Sequence, residues 1–286
     1  MRYEIKNHLL YVDGKQVKFI QTPNGGGRIN PIGIVNHHTA SGDGSATGDI
    51  SWLTNRKAGA SAHFVVDWNG DIVQLQPCNK KTWHAGKSKW KDKRGLNSHT
   101  IGIEIDNPGH LTKLANGNFD GIGGPYTPDL VVDTGRTKSH GGLRYWKRFS
   151  AEQISAVKFL NMALAEAYNI SPEWVVTHWQ IAPRRKTDPG PHFPLGHIRG
   201  LIRGNGDDDF DSPVTKSTKK ASSSKKRVLV KGMQGADVKT LQRALKINAD
   251  GDFGKQTHGA VIAIQRSYKL DVDGKVGKNT RKVLGI

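Results

Sequence analysis

The chain has 286 residues, one cysteine and a formal net charge of +18 at pH 7. This length allows one sizeable domain and a second, smaller one. A single cysteine excludes an internal disulfide framework and is typical of a protein made in a reducing compartment. No segment approaches the roughly 20 apolar residues of a membrane span, and the charged start MRYEIKNHLLYVDGK lacks the apolar core of a secretory signal.

The basic charge is spread over the whole chain and is not gathered in one tail. It attracts polyanions, which include nucleic acid, anionic lipid and anionic cell-wall material, without choosing among them. No helix or aromatic motif typical of nucleic-acid recognition accompanies the charge. We therefore expect no specific nucleic-acid partner, although charge alone leaves that function class open.

The N-terminal part of the chain predicts a hairpin and a helix. Residues 3–21 alternate polar and apolar side chains on both sides of Asp13-Gly14, a dipeptide suited to a two-residue turn, which predicts a β-hairpin. Residues 49–57 predict a helix with Asp49 at its start.

Short apolar runs then predict buried strands with polar residues at or near their ends. IGIVNHHTA ends in His37 and His38, and only one of them can face a site at the strand end because side chains alternate along a strand. The loop KTWHAG contains Trp83 and His84. The strand IGIEI carries Glu104, whose carboxylate is either a functional group with a raised pKa or a hydrogen-bonded structural residue.

The stretch 107–148 is rich in glycine, proline and polar residues, and we expect a long connection that is functional or mobile and forms a wall of the substrate cleft. An amphipathic helix follows, with Ser150 and Gln153 as its capping box.

VVTHWQIAPRRKTDPG predicts a short strand ending in His178, followed by a proline-rich loop with Lys186 and Asp188. An imidazole and a carboxylate are two ligands that a catalytic zinc commonly uses. A salt bridge between His178 and Asp188 is the alternative.

The C-terminal part predicts a linker and a repeat. Residues 201–227 contain an acidic cluster and a Ser/Thr/Lys tract with few apolar residues, which predicts a flexible charged linker. Within residues 228–286, LQRALKI and DGDFGKQT recur as IQRSYKL and DGKVGKNT after 23 residues. Each unit predicts a helix, an Asp-Gly turn and the start of the next helix.

Taken in order, NHHTA, SAHFVVDWNGDIVQL, WHAG, IGIEI and HWQIAPRRKTDPG resemble the type 2 N-acetylmuramoyl-L-alanine amidases over about residues 28–195. Residues 228–286 resemble a peptidoglycan-binding module of two helical repeats. The resemblance implies an α/β (α+β) fold with a central mixed β-sheet flanked by helices, plus a small all-α C-terminal domain. It implies an amidase domain over residues 1–200 and a wall-binding domain over residues 228–286.

The resemblance implies Zn²⁺ as cofactor, with His37, His178 and Asp188 as its ligands. Such a donor set leaves an open position for water, whose pKa falls from 15.7 to roughly 7 on zinc. Glu104 and Lys186 are implied as catalytic residues.

Glu104 suits a general base and acid, and Lys186 suits a cation beside the developing oxyanion. The loop departs from the usual PGRKTDPG at Arg184, where glycine tolerates backbone angles that arginine does not favour. Trp83 and His84 are interpreted as substrate-facing, with His84 alternatively supporting a metal ligand, whereas His38 and His63 are interpreted as structural.

The implied reaction is hydrolysis of the bond between N-acetylmuramic acid and L-alanine of the stem peptide. A phage endolysin fits best: a monomer, made in the host cytoplasm without a signal peptide, that acts on cell-wall peptidoglycan as both substrate and anchor. A bacterial autolysin or secreted effector with the same activity stays open. A non-catalytic peptidoglycan-recognition protein is the other alternative, and the presence of Asp188, Glu104 and Lys186 argues against it.

Overall fold

A computed structural model describes residues 1–42, 44–204, 228–245, 247–268 and 270–286. The chain divides into two compact units, Met1–Val214 and Thr215–Ile286. Most of the predicted linker lies outside the described residues, and its first two residues complete a helix of the first unit.

The strands of the first unit are, in chain order, β1 (Tyr3–Lys6), β2 (Leu9–Val12), β3 (Lys15–Gln16), β4 (Lys18–Phe19), β5 (Gly25–Arg28), β6 (Gly33–His38), β7 (Phe64–Val66), β8 (Ile72–Gln74), β9 (Lys80–Thr82), β10 (Lys89–Trp90), β11 (Lys93–Arg94), β12 (Thr100–Ile105), β13 (His110–Lys113), β14 (Phe119–Asp120), β15 (Val131–Asp133), β16 (Tyr145–Lys147) and β17 (Val175–Thr177). Its helices are α1 (Thr47–Leu53), α2 (Ala151–Tyr168), α3 (His178–Ile181) and α4 (Leu195–Ile202).

Six strands form the central sheet, in the order β17-β6-β12-β7-β8-β4. All neighbours are parallel except the hairpin β7–β8. The sheet is therefore mixed, which confirms the predicted α+β fold. Its parallel strands β6, β12 and β17 all end at the same edge, and this edge positions the candidate site.

The main core lies between this sheet and α2. Ile34, Phe64 and Ile103 from three neighbouring strands are fully buried against Val157 and Leu160 of the helix. Burial of each such side chain stabilises the fold by about 1.5–3 kcal/mol. The predicted capping box begins α2: the Ser150 hydroxyl accepts from the Gln153 backbone, and the Gln153 side chain accepts from the Ser150 backbone.

The N-terminal hairpin was predicted with the wrong main turn. Asp13-Gly14 does join β2 to the short β3, but the longer antiparallel pair is β1–β2, which turns at Asn7-His8. Both turn residues have positive φ, 49° and 67°, as a tight hairpin turn requires.

Two predicted boundaries also differ. Helix α1 begins at Thr47, and Asp49 is a buried residue that accepts a hydrogen bond from the Ser41 hydroxyl at 3.0 Å. The helix ends at Leu53, where the backbone nitrogen and the hydroxyl of Thr54 both donate to the carbonyl of Ile50. The strand before His178 ends at Thr177, so His178 is the first residue of α3.

The 107–148 segment, predicted as a long connection, is a folded subdomain with strands of its own. Its strands form an antiparallel sheet in the order β14-β13-β16-β15. Leu111, Phe119, Tyr126 and Val131 form a small core of its own. This inserted sheet follows β12 directly in the chain and therefore starts beside the edge where the parallel strands end.

The second unit contains α5 (Ala236–Ala244), α6 (Lys255–Ser267) and α7 (Lys278–Leu284), which confirms the predicted helical repeats. The repeat extends to hydrogen bonds. The Gln242 amide donates to Asp250, Asp252 and Thr257 at 2.6–2.9 Å and accepts from the Gly251 backbone at 2.7 Å. Gln265, 23 residues later, makes the same four bonds to Asp273, Lys275, Thr280 and Gly274.

Across the parts of the chain that the structure describes, no helix combines the length and apolar character that crossing a membrane requires.

Candidate functional site

The candidate site lies where strands β6, β12 and β17 end, the edge at which open α/β sheets usually bind ligands. His37 of β6 and Glu104 of β12 are direct partners in the parallel register, so their side chains project from the same face. His178 opens α3 after β17, and Asp188 comes from the loop that follows this helix.

Three donor atoms converge at this edge. Nδ1 of His37 lies 2.9 Å from Nδ1 of His178 and 3.2 Å from Oδ2 of Asp188, and Nδ1 of His178 lies 3.0 Å from the same oxygen. All three side chains are buried. Two imidazoles and a carboxylate are a common zinc donor set, and ligands of a tetrahedral zinc lie ~3.3 Å apart. The donors and their spacing therefore fit a zinc ion.

The protonation states also suit a cation. Burial, together with the neighbouring His178, lowers the pKa of His37 to about 4, so its imidazole is neutral at neutral pH. Burial raises the pKa of Asp188, but interactions with His178 and His37 outweigh it and hold the pKa well below its usual range. The cluster is thus ready to bind a metal without first releasing these protons.

The WHAG loop holds both imidazoles from behind. Nε2 of His37 lies 3.0 Å from Nδ1 of His84, whose own Nε2 lies 3.3 Å from the backbone oxygen of Thr100. Nε2 of His178 lies 3.3 Å from the backbone oxygen of Ala85. Because a carbonyl only accepts, His84 carries its proton on Nε2, and its Nδ1 accepts from Nε2–H of His37. Nδ1 of His37, which faces the other two donors, therefore keeps a free lone pair. Nε2 of His178 also lies 3.4 Å from the Arg185 guanidinium.

Gly102 of β12 makes this arrangement possible. A Cβ at this position would overlap the ring of His84, so only glycine fits. The backbone nitrogen of Gly102 donates to Nδ1 of His63 at 3.0 Å, and burial lowers the pKa of His63 to about 4. His63 is therefore a neutral, buried residue one layer behind the donor cluster.

Glu104 has a buried oxygen that is not bonded. Among the described residues, none provides a hydrogen-bond partner for its Oε2. Burial raises the pKa of this carboxyl well above its usual range, and the charges of Asp188 and Asp49 raise it further. Leaving a buried acceptor unpaired costs about 1–3 kcal/mol, and such groups cluster at functional sites.

The loop after α3 carries three consecutive basic residues. Arg184 has a φ of +66°, which lies in the left-handed region that favours glycine. The arginine that replaces the glycine of the usual PGRKTDPG pattern therefore stands at a position that requires this angle. Arg185 donates to the backbone oxygens of Ala85 at 3.0 Å and Lys87 at 2.9 Å, which ties this loop to the WHAG loop. Lys186 lines the cleft beside the donor cluster.

Comparison with known families decides the assignment. Residues 27–191 match the model of the N-acetylmuramoyl-L-alanine amidase family, which is more than half of the chain. The chain belongs to this amidase family. Residues 234–284 match the model of a putative peptidoglycan binding domain. Both resemblances found in the sequence are thereby confirmed.

Individual relatives cover part of the chain. The N-acetylmuramoyl-L-alanine amidase AmiD of Escherichia coli (strain K12) is 33% identical over 168 residues, 56% of this chain and 49% of that protein. The 1,6-anhydro-N-acetylmuramyl-L-alanine amidase AmpD of Citrobacter freundii is 30% identical over 142 residues, 50% of this chain and 57% of that protein. A selenomethionine AmpD derivative of known crystal structure is 22% identical, with a TM-score of 0.49 over 69% of this chain and 98% of that one. The chain spans about half the length of the curated relatives it matches.

Besides the donor cluster and its neighbours, two further groups of residues line the cleft of the amidase-family domain, whose volume is about 480 Å³. One group contains Leu53, Ala60, Ser61 and Trp83, whose side chain is 38% exposed. The other comes from the 107–148 insertion and consists of Pro108, His110, Thr112, Asp120, Gly121 and Ile122. The expectation that this insertion forms a cleft wall is confirmed.

The remaining histidines divide as follows. His84 is only 7% exposed, and both its ring nitrogens face protein atoms, so the geometry agrees with a support for His37. His38 points away from the donor cluster toward Gly109, where a Cβ would lie 2.5 Å from its ring, and it also borders the cleft.

Three features of the amidase-family site were not identified from the sequence. Gly102 had a signal, because a glycine inside a buried strand indicates close approach of another group. Ala85 contributes only its backbone oxygen, so its residue type gives no indication of this role. Asp120 reaches the cleft only through the pairing of β14 with β13.

Proposed function

We propose that this protein hydrolyses the amide bond between the lactyl group of N-acetylmuramic acid and L-alanine of the peptidoglycan stem peptide. The observation that carries this proposal is the convergence of His37, His178 and Asp188 beside Glu104 at one edge of the sheet. The names of AmiD and AmpD, both muramyl-L-alanine amidases, support the same reaction class.

Nδ1 of His37, Nδ1 of His178 and Oδ2 of Asp188 would hold Zn²⁺. When bound, the ion supplies Lewis acidity, which lowers the pKa of a water and polarises a carbonyl oxygen. The contact with Nδ1 of His84 supports the tautomer of His37 that this role needs, and the Ala85 carbonyl lies beside Nε2 of His178. Such outer partners typically change metal affinity 10–100-fold when removed.

Glu104 moves the proton. Its Oε2 accepts a proton from the attacking water as the water oxygen bonds to the amide carbon. The same proton then passes to the amide nitrogen as the C–N bond breaks, which leaves a lactyl carboxylate and a free amino group on L-alanine. A carboxyl whose pKa is raised by burial is suited to hold the proton between these two steps.

Lys186 supplies a fixed positive charge. It lines the cleft together with Glu104 and Asp188, which supports a role for its ammonium group in stabilising the oxyanion that forms at the amide carbonyl. Trp83, exposed at the cleft surface, offers an aromatic face for the substrate.

Residues 228–286 would hold the enzyme on polymeric wall, where a tethered second site raises the effective concentration to the mM range.

The role as a phage endolysin, synthesis in the host cytoplasm and a monomeric state stay predictions. Sedimentation velocity measures the oligomeric state directly. In cells that express the protein, lysis that begins only once the inner membrane is chemically permeabilised would support the endolysin role.

Mass spectrometry of digested peptidoglycan tests the reaction. We expect free stem peptides that begin with L-alanine, and we expect them to disappear with a chelator, in His178→Ala and in Glu104→Gln. New reducing sugar ends would instead identify a glycosidase. Intact muropeptides with retained wall binding would identify a recognition protein without catalysis.

A further inference from the structure

The inserted sheet is fixed to the loop that carries Asp188. The backbone nitrogen of Lys147 donates to the backbone oxygen of Gly109 at 2.9 Å, which closes the base of the insertion. Nε2 of His192 donates to the backbone oxygen of Lys147 at 3.0 Å. Trp146 is fully buried and packs over Gly190, where a Cβ would lie 2.8 Å from the indole ring. The insertion therefore presents a defined surface to the cleft.

Asp120 stands on that surface with its charge available. Thr112 and Asp120 are direct partners in the antiparallel pair β13–β14, so their side chains share one face of the sheet, and both line the cleft. Asp120 is exposed, and within the described ranges no basic group lies within salt-bridge distance of its carboxylate. By contrast, Asp133 of the same sheet is paired with Arg144 at 2.7 Å.

The charges that line the cleft differ between its two parts. At the donor end, Arg185 and Lys186 together with a bound cation would outweigh the carboxyl groups of Glu104 and Asp188, whereas Asp120 places a negative charge on the inserted sheet. A ligand with a carboxylate near the cleaved bond and an amine further away complements both.

A stem peptide has this order of charges. After L-alanine comes a γ-linked glutamate with a free α-carboxylate, and then a diamino acid whose side-chain amine is free unless it is cross-linked. Two to three residues of extended chain span about 7–11 Å, which a cleft of this volume accommodates.

We propose that Asp120 binds the side-chain ammonium group of the diamino acid at the third position of the stem peptide. This inference rests on the proposed amidase function and names a specificity residue within it. Asp120 does not touch the reacting atoms. The proposed contact predicts that the enzyme prefers stem peptides that are not yet cross-linked through that amine.

The test uses the full-length, zinc-loaded protein and two soluble substrates. One is N-acetylmuramyl-L-Ala-D-γ-Glu-L-Lys, and the other is the same molecule with its lysine Nε acetylated. We expect kcat/KM to be about 5-fold higher for the free amine, the size expected of a partly exposed ion pair, and to lose part of this ratio at high salt. Asp120→Asn should bring the ratio to about 1, and Asp120→Glu should retain a preference.

Asp129→Asn is the matched control, because Asp129 is an exposed acid of the same insertion that does not line the cleft. It should keep the wild-type ratio. Equal cleavage of both substrates by the wild type, or an Asp120→Asn variant that keeps the wild-type ratio, overturns the proposal for Asp120 and leaves the amidase function standing. Cleavage of neither substrate overturns both.

Discussion

The C-terminal unit and the cleft of the amidase-family domain differ in how their buried polar side chains are bonded. In the C-terminal unit, Gln242 and Gln265 are buried with both the nitrogen and the oxygen of each amide bonded. At the cleft of the amidase-family domain, Oε2 of Glu104 has no partner among the described residues, and two imidazole nitrogens face each other at 2.9 Å. Polar groups that satisfy one another stabilise a fold, whereas groups that converge without satisfying one another need a ligand.

Replacing a residue of the donor cluster should give the largest effect, and it should lower activity far more than stability. We expect His178→Ala to lower kcat/KM for a soluble muramyl peptide on the order of 10³-fold, because a bound metal supplies several kcal/mol of transition-state stabilisation. Chelator should reduce the wild type to the same level. The metal-free variant should still unfold cooperatively in calorimetry, a few degrees below the metal-free wild type, because the substitution removes only the contacts of His178 with Asp188 and the Ala85 carbonyl. A large fall in this melting temperature would show that the cluster is structural.

His84 should affect metal affinity more than stability. His84→Phe removes the acceptor behind His37, and we expect zinc affinity, measured by competition with a chromophoric chelator, to fall about 10–100-fold. His84→Asn keeps an acceptor oxygen near the position of Nδ1 and should retain most of the affinity. His63→Asn is the control, since His63 is equally buried but bonds no donor residue. Equal affinities of the Phe and Asn variants would contradict the proposed tautomer control.

In the C-terminal unit, replacing a buried polar side chain should lower stability without changing activity. Gln242→Leu leaves the buried Gly251 amide without its partner, so we expect the free energy of unfolding of this unit to fall by about 1–3 kcal/mol. Hydrogen exchange at the Gly251 amide measures this loss. Gln265→Leu, at the equivalent position of the second repeat, should match it. Cleavage of a soluble substrate should not change, and a fall in kcat/KM would refute the division between the units.

Arg184→Gly should give the smallest effect. A non-glycine residue in the left-handed region costs about 1–2 kcal/mol, and the extra freedom of glycine in the unfolded chain returns about 0.4–1 kcal/mol of that. We expect a net gain of about 0.5 kcal/mol, or roughly 1–2 °C in Tm. Arg184→Ala should give no such gain, and a glycine variant that melts lower than the wild type would show that the arginine side chain stabilises this loop.

The strand ends that meet at the donor cluster, and the repeats, could be predicted from local sequence patterns, whereas the choice of His37 over His38 rested on the family resemblance. His37, Glu104 and His178 each lie at or just after the end of a short apolar run, and parallel strands bring such ends together. The 23-residue repeat is visible in the letters of the sequence, and it predicted the helices on either side of each Asp-Gly turn.

The inserted sheet and the support of His37 could not be predicted because they depend on distant pairing. Strands β13 and β16 join Leu111 to Tyr145, and no run of alternating residues marks either strand. Trp83 and His84 are neighbours in the chain, and only the folded loop shows that the first reaches solvent while the second lies under His37. Because Asp13-Gly14 is a typical turn dipeptide, the main turn was predicted there, and the turn at Asn7-His8 was not predicted.

The ladder between β13 and β16 has a consequence for engineering. His110 pairs with Trp146 and Leu111 with Tyr145, so the chain enters and leaves the insertion within one strand spacing, about 5 Å. The segment between Leu111 and Tyr145 is therefore an exchangeable cassette. A two-residue turn can shorten it, or a hairpin from another protein can replace it, while Trp146 stays in place against Gly190. The residues that the insertion contributes to the cleft can thus be exchanged without altering the strands that position the donor cluster.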